Sequence, residues 1–222
     1  MADKDAKDKI EQLRSEMKAQ SVDAFIVPRA DEYQGEFVAG YAERLKWLTG
    51  FTGSGGCAIV TYDKAVVLTD GRYLIQVDQE VDLECFTTGD ITKTDIAAWL
   101  SENVEGVVGY DPMLHTPAQI EKIAKDLTVK AVPNLVDAVW DDQPAQPQEA
   151  IEIFPDALAG QSSQDKRALV AEALKEAGLG ACVITLPDSI AWLLNIRGSD
   201  TKYIPQALSY LMIAADGGVT WF

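Results

Sequence analysis

One pattern occurs twice in this chain, and it limits the fold more than any other feature of the sequence. W-L-T-G-F-T-G-S (47–54) and W-L-L-N-I-R-G-S (192–199) share the form W-L-x-x-apolar-x-G-S. Both lie downstream of a helical stretch and a short apolar strand. Residues 5–19 lead to D-A-F-I-V (23–27), and residues 163–178 lead to G-A-C-V-I (180–184). Both are followed by an apolar strand, a turn containing aspartate and a second strand. Two copies of one supersecondary unit are therefore expected. With Asp63 set opposite Asp216, Phe222 falls opposite Thr69. The first copy runs on into T-D-G-R-Y (69–73), so the second copy is expected to be partial and the chain to be a fragment.

Between these landmarks helices and strands alternate. Ile10, Leu13 and Met17 are spaced for one face of a helix over 5–19. Residues 23–28 read as a strand ended by proline, 30–40 as a polar loop and 42–48 as a helix stopping at Gly50. Two β-rich runs around Tyr62-Asp63-Lys64 read as a hairpin. A helix over 72–81, a strand over 83–88, a helix over 92–104 and a strand over 106–111 follow. Thr116-Pro117 opens another helix, with threonine as cap and proline in the first turn. The first domain, residues 1–140, is thus α/β. Residues 141–155 hold three prolines among acidic groups, which sets a linker over 141–158. The partial second domain, 159–222, has a helix over 162–178 with Ser163 as cap and Gly178 near its end. It continues with a strand over 182–185, a helix over 189–194 and strands over 208–214 and 219–222.

Composition narrows the partners. The net charge is −16, which argues against a nucleic-acid phosphate backbone as ligand, since that draws on Lys/Arg clusters. No stretch nears the run of about 20 apolar residues that a membrane helix needs. The start, M-A-D-K-D-A-K-D-K-I, is not a secretory signal. Cys57, Cys85 and Cys182 are odd in number and set in apolar runs, as buried, reduced thiols of a cytoplasmic protein would be.

Little in the chain can do chemistry alone. A two-metal hydrolase needs clustered carboxylates and imidazoles, but His115 is the one histidine, in a loop after Asp111, and reads as a surface residue. No base is apparent for a cysteine nucleophile. Gly53-Ser54-Gly55-Gly56 lacks the Lys-Ser/Thr of a phosphate loop and reads as a turn entering a strand.

Three passages carry a family resemblance. Y-A-E-R-L-K-W-L-T-G-F-T-G-S-G-G (41–56) leads to A-V-V-L-T-D-G-R-Y (65–73). A-G-Q-S-S-Q-D-K (159–166) follows the linker, and D-S-I-A-W-L-L-N-I-R-G-S-D (188–200) closes the set. Together they resemble the front part of the three-domain Xaa-Pro aminopeptidases (aminopeptidase P, in the creatinase/prolidase superfamily). The resemblance implies creatinase-type α/β units, each a mixed sheet flanked by helices, ahead of a "pita-bread" catalytic domain. It implies no cofactor in this chain and two divalent metal ions, manganese by the family's habit, in that catalytic domain. The whole enzyme would be a homodimer that releases the first residue of peptides with proline second.

The resemblance also assigns residues. The arginine of T-D-G-R-Y, here Arg72, would contact the bound peptide; the alternative is a salt bridge to Asp70 or another acid. Asp70, Tyr73, Arg197 and Asp200 are candidates for the cleft. Trp47 and Trp192 read as core, and the loop with Asp31, Glu32, Tyr33 and Glu36 would face a cleft or a partner subunit. The 222 residues alone are expected to be inactive. Two other readings are a stand-alone module binding basic peptides such as histone tails, compatible with the acidic charge, and a creatinase or prolidase, disfavoured by the repeat.

Overall fold

The computed structural model describes residues 5–222. In the first part of the chain, α1 (Ala6–Ala19) precedes β1 (Ala24–Pro28). A 3-10 turn at Gly40–Ala42 leads to α2 (Arg44–Thr49), then β2 (Cys57–Thr61), β3 (Ala65–Thr69), α3 (Leu74–Glu80), β4 (Thr87–Asp90), α4 (Ile96–Asn103), β5 (Val107–Tyr110), α5 (Pro117–Ile123) and β6 (Thr128–Ala131). The second part has β7 (Glu152–Ile153), α6 (Asp156–Ala159), α7 (Ser163–Glu176), β8 (Ala181–Ile184), α8 (Pro187–Leu194), β9 (Ile196–Arg197), β10 (Leu211–Ala214) and β11 (Val219–Trp221).

Six strands form one mixed sheet in the order β4-β3-β2-β1-β5-β6. The β1–β2 and β2–β3 pairs are antiparallel, and the β3–β4, β1–β5 and β5–β6 pairs parallel. Successive side chains of a strand point to opposite faces, and here both faces are covered. Phe25, Val27, Ala58, Val60, Ala65 and Val67 meet Ile10, Leu13 and Met17 of α1, Leu45 and Leu48 of α2 and Val77 of α3. Ala24, Ile26, Cys57, Ile59, Val66 and Leu68 meet Leu100 of α4 and Ile123 of α5. This two-sided burial explains why β1, β2 and β3 read as continuous apolar runs.

The chain divides into two compact units. One comprises residues up to Ala30 and Tyr41–Pro144; the other comprises Asp31–Gly40 and Ala145–Phe222. The second unit has a three-stranded antiparallel sheet, β11-β10-β8, and a two-stranded ladder, β7-β9. Its core is Leu174 of α7, Ile190 and Leu193 of α8, and Leu211 and Ile213 of β10.

The repeat is present in backbone detail. Asp5 caps α1 by accepting from the Asp8 N–H, and Ser162 caps α7 by accepting from the Asp165 N–H. The cap is thus Ser162, one residue before the expected Ser163, because its hydroxyl lies at the spacing that meets a free first-turn N–H. After the helices, Ser21 (φ 54°) and Gly178 (φ 69°) both turn left-handed. Gly50 ends α2 at φ 80° and Asn195 ends α8 at φ 52°, the same place in both W-L motifs. β1 pairs with β2 from Ala24↔Thr61, and β8 with β10 from Ala181↔Ala214, at the matching position. The second hairpin turn, between Ile213 and Val219, is one residue longer than that between Val60 and Ala65. Gly217, at φ 84°, accommodates the extra residue.

Some expectations shift. The strand expected over 83–88 begins at Thr87, because Asp82 turns the chain: its carbonyl accepts the Cys85 and Phe86 N–H groups and its carboxylate the Glu84 N–H. β6, β7, α6 and β9 have no counterpart in the sequence reading. Cys57 is buried, but Cys85 is only partly so and Cys182 is exposed on β8.

Candidate functional site

The T-D-G-R-Y segment leaves the end of β3 and enters α3. Thr69 is buried, and its hydroxyl donates to the Gly55 carbonyl at 2.6 Å. Asp70 then accepts three bonds from Arg72: from the backbone N–H at 3.0 Å, Nε at 2.9 Å and Nη2 at 2.8 Å. The guanidinium is thus gripped by both carboxylate oxygens in a two-pronged, charge-assisted geometry. Those side-chain bonds, then the backbone one, hold the Asp70 carboxyl down at about 2. The Arg72 side chain stays 66% exposed and its Cζ lies 4.9 Å from the Tyr73 ring centre. It is a fixed planar cation that a ligand from solvent can reach.

The loop that faces this pair is Gly53-Ser54-Gly55-Gly56. The Ser54 and Tyr73 hydroxyls are 2.7 Å apart. Arg29 donates from Nη1 to the Ser54 carbonyl at 3.2 Å and lies 3.6 Å from Glu43. A side chain at Gly55 would begin 3.4 Å from Asp70 Oδ2 and 3.6 Å from Arg72 Nη2. At Gly56, φ is 146° and a Cβ would fall 2.5 Å from the Leu68 carbonyl oxygen. The reading of this stretch as a turn into a strand holds; its support of the Arg72–Asp70 pair escaped the sequence reading. The doubled glycine beside β3 was the available signal.

The structure brings Asp70, Arg72 and Tyr73 together in the first unit. Arg197 and Asp200 belong to the second, held by different partners. Arg197 Nη1 donates to the Ile196 carbonyl at 2.7 Å, and its Cζ lies 4.0 Å from the Phe154 ring centre. Asp200 accepts from the Leu208 N–H at 2.8 Å and the Glu149 N–H at 3.3 Å.

Asp31, in the loop 31–40, is fully buried; Oδ1 accepts from the Tyr33 and Gly35 N–H groups, and burial raises its carboxyl. Burial, then the Glu32 charge, pushes the Tyr33 hydroxyl up to about 12. Tyr33 stacks on Tyr210, and the Tyr210 hydroxyl donates to the Glu32 carbonyl at 2.8 Å. His115 is more enclosed than the surface placing expected of it: burial lowers its imidazole, and Nε2 is buried with no partner among the described residues. The reason is local, since Nδ1 turns back to the Asp111 carbonyl at 2.9 Å and the ring meets Tyr110 edge-on.

The described residues do not fit a two-metal centre, for among them no three His, Cys, Asp or Glu side chains gather to hold an ion. The chemistry present here is that of a guanidinium anchored by a carboxylate and open to solvent.

Comparison with known proteins places these elements. The creatinase/prolidase N-terminal domain is matched twice, over residues 9–139 and 142–222. The chain belongs to the creatinase/prolidase N-terminal domain family. The two matches fall on the two halves of the repeat. A probable Xaa-Pro aminopeptidase P of Laccaria bicolor is 36% identical over 221 residues, covering 94% of this chain and 34% of that protein. One of Aspergillus niger is 37% identical over 227 residues, covering 94% and 36%. The chain therefore spans about a third of the length of these curated relatives. The crystal structure of X-prolyl aminopeptidase from Caenorhabditis elegans, described as a cytosolic enzyme with a di-nuclear active site, matches with a TM-score of 0.91. It is 33% identical and covers 99% of this chain and 39% of that one. The mixed α/β architecture with flanking helices is thus that of a creatinase-type unit. Among the described residues no helix is long and apolar enough to cross a membrane.

Proposed function

We propose that this chain forms the leading creatinase-type units of a cytoplasmic, metal-dependent Xaa-Pro aminopeptidase. Residues 1–140 and 159–222 are its two domains, and 141–158 joins them. In this reading the units shape access to the catalytic centre, hold a peptide with proline second, and support a homodimer. The two metal ions, manganese in this proposal, are held by other residues of the enzyme.

The observation that carries the reading is the Arg72–Asp70 pair. An arginine whose side chain is 66% exposed would ordinarily sample many rotamers; here a bidentate carboxylate fixes it, with Gly55 leaving its flank open. A fixed guanidinium suits a peptide carbonyl or carboxylate, because little side-chain freedom is lost on binding.

The first test uses the chain itself. Supplied with manganese and Xaa-Pro peptides, the 222 residues are expected to release no amino acid above a metal-only blank. Turnover by the chain would overturn the reading of these units as non-catalytic.

A further inference from the structure

The two halves of the repeat treat their tryptophans differently. In the first unit, Lys9 Nζ lies 5.1 Å from the Trp47 ring centre, and Trp140 stacks on the same indole at 5.5 Å with the planes 21° apart. In the second, Lys166 Nζ takes the equivalent place, 4.6 Å from the Trp192 ring centre. Lys166 is 2% exposed and is held by the Trp192 carbonyl at 2.9 Å and Asn195 Oδ1 at 2.7 Å. Among the described residues no ring stacks on Trp192, which is 53% exposed. Beside it lies a cavity of about 220 Å³ whose walls are mainly apolar, with Ala191, Ile204 and Pro205 among them.

Arg197 also lines this cavity. Its guanidinium is positioned by Phe154 and by the Ile196 carbonyl, but no carboxylate pairs with it among the described residues. Asp188 lies in the same lining and Glu152 sits across the β7–β9 ladder, yet neither forms an ion pair with it. Arg29, Arg44 and Arg72 each have an acidic partner, whereas Arg14 and Arg167, like Arg197, donate to backbone carbonyls; of these three it is Arg197 that lines the cavity. A cation without an acidic partner, in a chain of net charge −16, leaves donors for an anion from outside.

We propose that this cavity is a binding site for an aromatic carboxylate, in which an aryl ring stacks on Trp192 as Trp140 stacks on Trp47, and the carboxylate takes the donors of Arg197. The volume suits one aromatic residue. Two sources share the chemistry: the C-terminal residue of a peptide, and a free N-acyl aromatic amino acid. The inference uses only residues of the second unit and shares Arg197 with the cleft of the peptidase reading; binding by the chain is read without turnover, so its failure is distinct from a failure of that reading.

Tryptophan fluorescence and calorimetry of the 222-residue chain test it. N-acetylphenylalanine is expected to bind saturably. N-acetylphenylalaninamide, lacking the charge, and N-acetylalanine, lacking the ring, are expected to bind at least about tenfold more weakly. Arg197→Gln should abolish the preference for acid over amide, Trp192→Leu the preference for the ring, and Lys125→Gln, at an exposed position of the first unit, should change neither. The acid–amide comparison is made on the unaltered chain, so it holds even if a variant fails to fold. Tighter binding of acetyl-Ala-Ala-Phe than of the free acid would assign the site to peptide C-termini, and the reverse to free acyl amino acids. Equal affinity for acid and amide, or no saturation by either, overturns the proposal.

Discussion

Asp70 grips Arg72 with both carboxylate oxygens, Oδ1 to Nε at 2.9 Å and Oδ2 to Nη2 at 2.8 Å. The pair sits at the end of β3, where the sheet hands the chain to α3, so a strand end and a helix start fix the position of one cation.

The first prediction concerns its acid limit. Asp70 is held at about 2 by Arg72, below the ordinary aspartate value of about 3.9. A carboxyl lowered by folding adds stability above its unfolded value and loses it as pH falls through the folded one. The pair should therefore persist at pH values where unpaired surface aspartates are already protonated. NMR titration of the Asp70 carboxyl should give a midpoint near 2, and Arg72→Gln should move it upward. A midpoint at the ordinary value would show that the pair is not maintained in solution.

The second concerns His115. Its imidazole is lowered by burial, so the folded chain favours the neutral ring. Stability should be full above the unfolded histidine value of about 6.5 and fall as pH drops below it. Urea unfolding at neutral pH and under mildly acid conditions should show a drop that is smaller in His115→Gln. An equal drop in both proteins would contradict this.

The third compares the repeat's tryptophans. Trp47 packs on the core and stacks with Trp140, so Trp47→Ala should cost about 3 kcal/mol. Trp192 is 53% exposed, and Trp192→Ala should cost about 1 kcal/mol, chiefly the loss of its contact with Lys166. Equal costs would mean that the halves bury these rings alike.

The fourth uses the thiols. Burial pushes Cys57 up to about 12, whereas Cys182 is exposed. Thiolate is the reactive form, so mass-resolved alkylation in mild alkali should modify Cys182 first and leave Cys57 unmodified in the folded chain. Equal rates would indicate that β2 opens readily.

These outcomes bear on how far the sequence could be read. Gly50 was read as a helix end, and Asn195, at the matching place of the second W-L motif, ends α8 in the same left-handed conformation, which selects glycine or asparagine. Thr116-Pro117 announced its helix, and the capping box with Gln119 is present. Cys182 looked buried because G-A-C-V-I resembles D-A-F-I-V. The first unit covers both faces of β1 with helices, but β8 is exposed over Ala181–Val183. Local pattern records that a strand is apolar and is silent on what covers it. The Arg72–Asp70 bond lies within one motif and was foreseeable as a salt bridge. The Ser54–Tyr73 and Arg29–Ser54 contacts join segments far apart in sequence, and only the sheet brings them together. The same holds for the loop 31–40, whose Tyr33 finds Tyr210.

The central claim is that Arg72 holds peptide for an Xaa-Pro aminopeptidase. Steady-state kinetics of the enzyme carrying these units, measured on a proline-second peptide with and without Arg72→Ala, tests it most directly. The account predicts a kcat/KM at least about tenfold lower, as loss of a charged hydrogen-bond donor implies, carried mainly by KM and partly restored in Arg72→Lys. Unchanged kinetics would contradict it and leave the Arg72–Asp70 pair as scaffold alone.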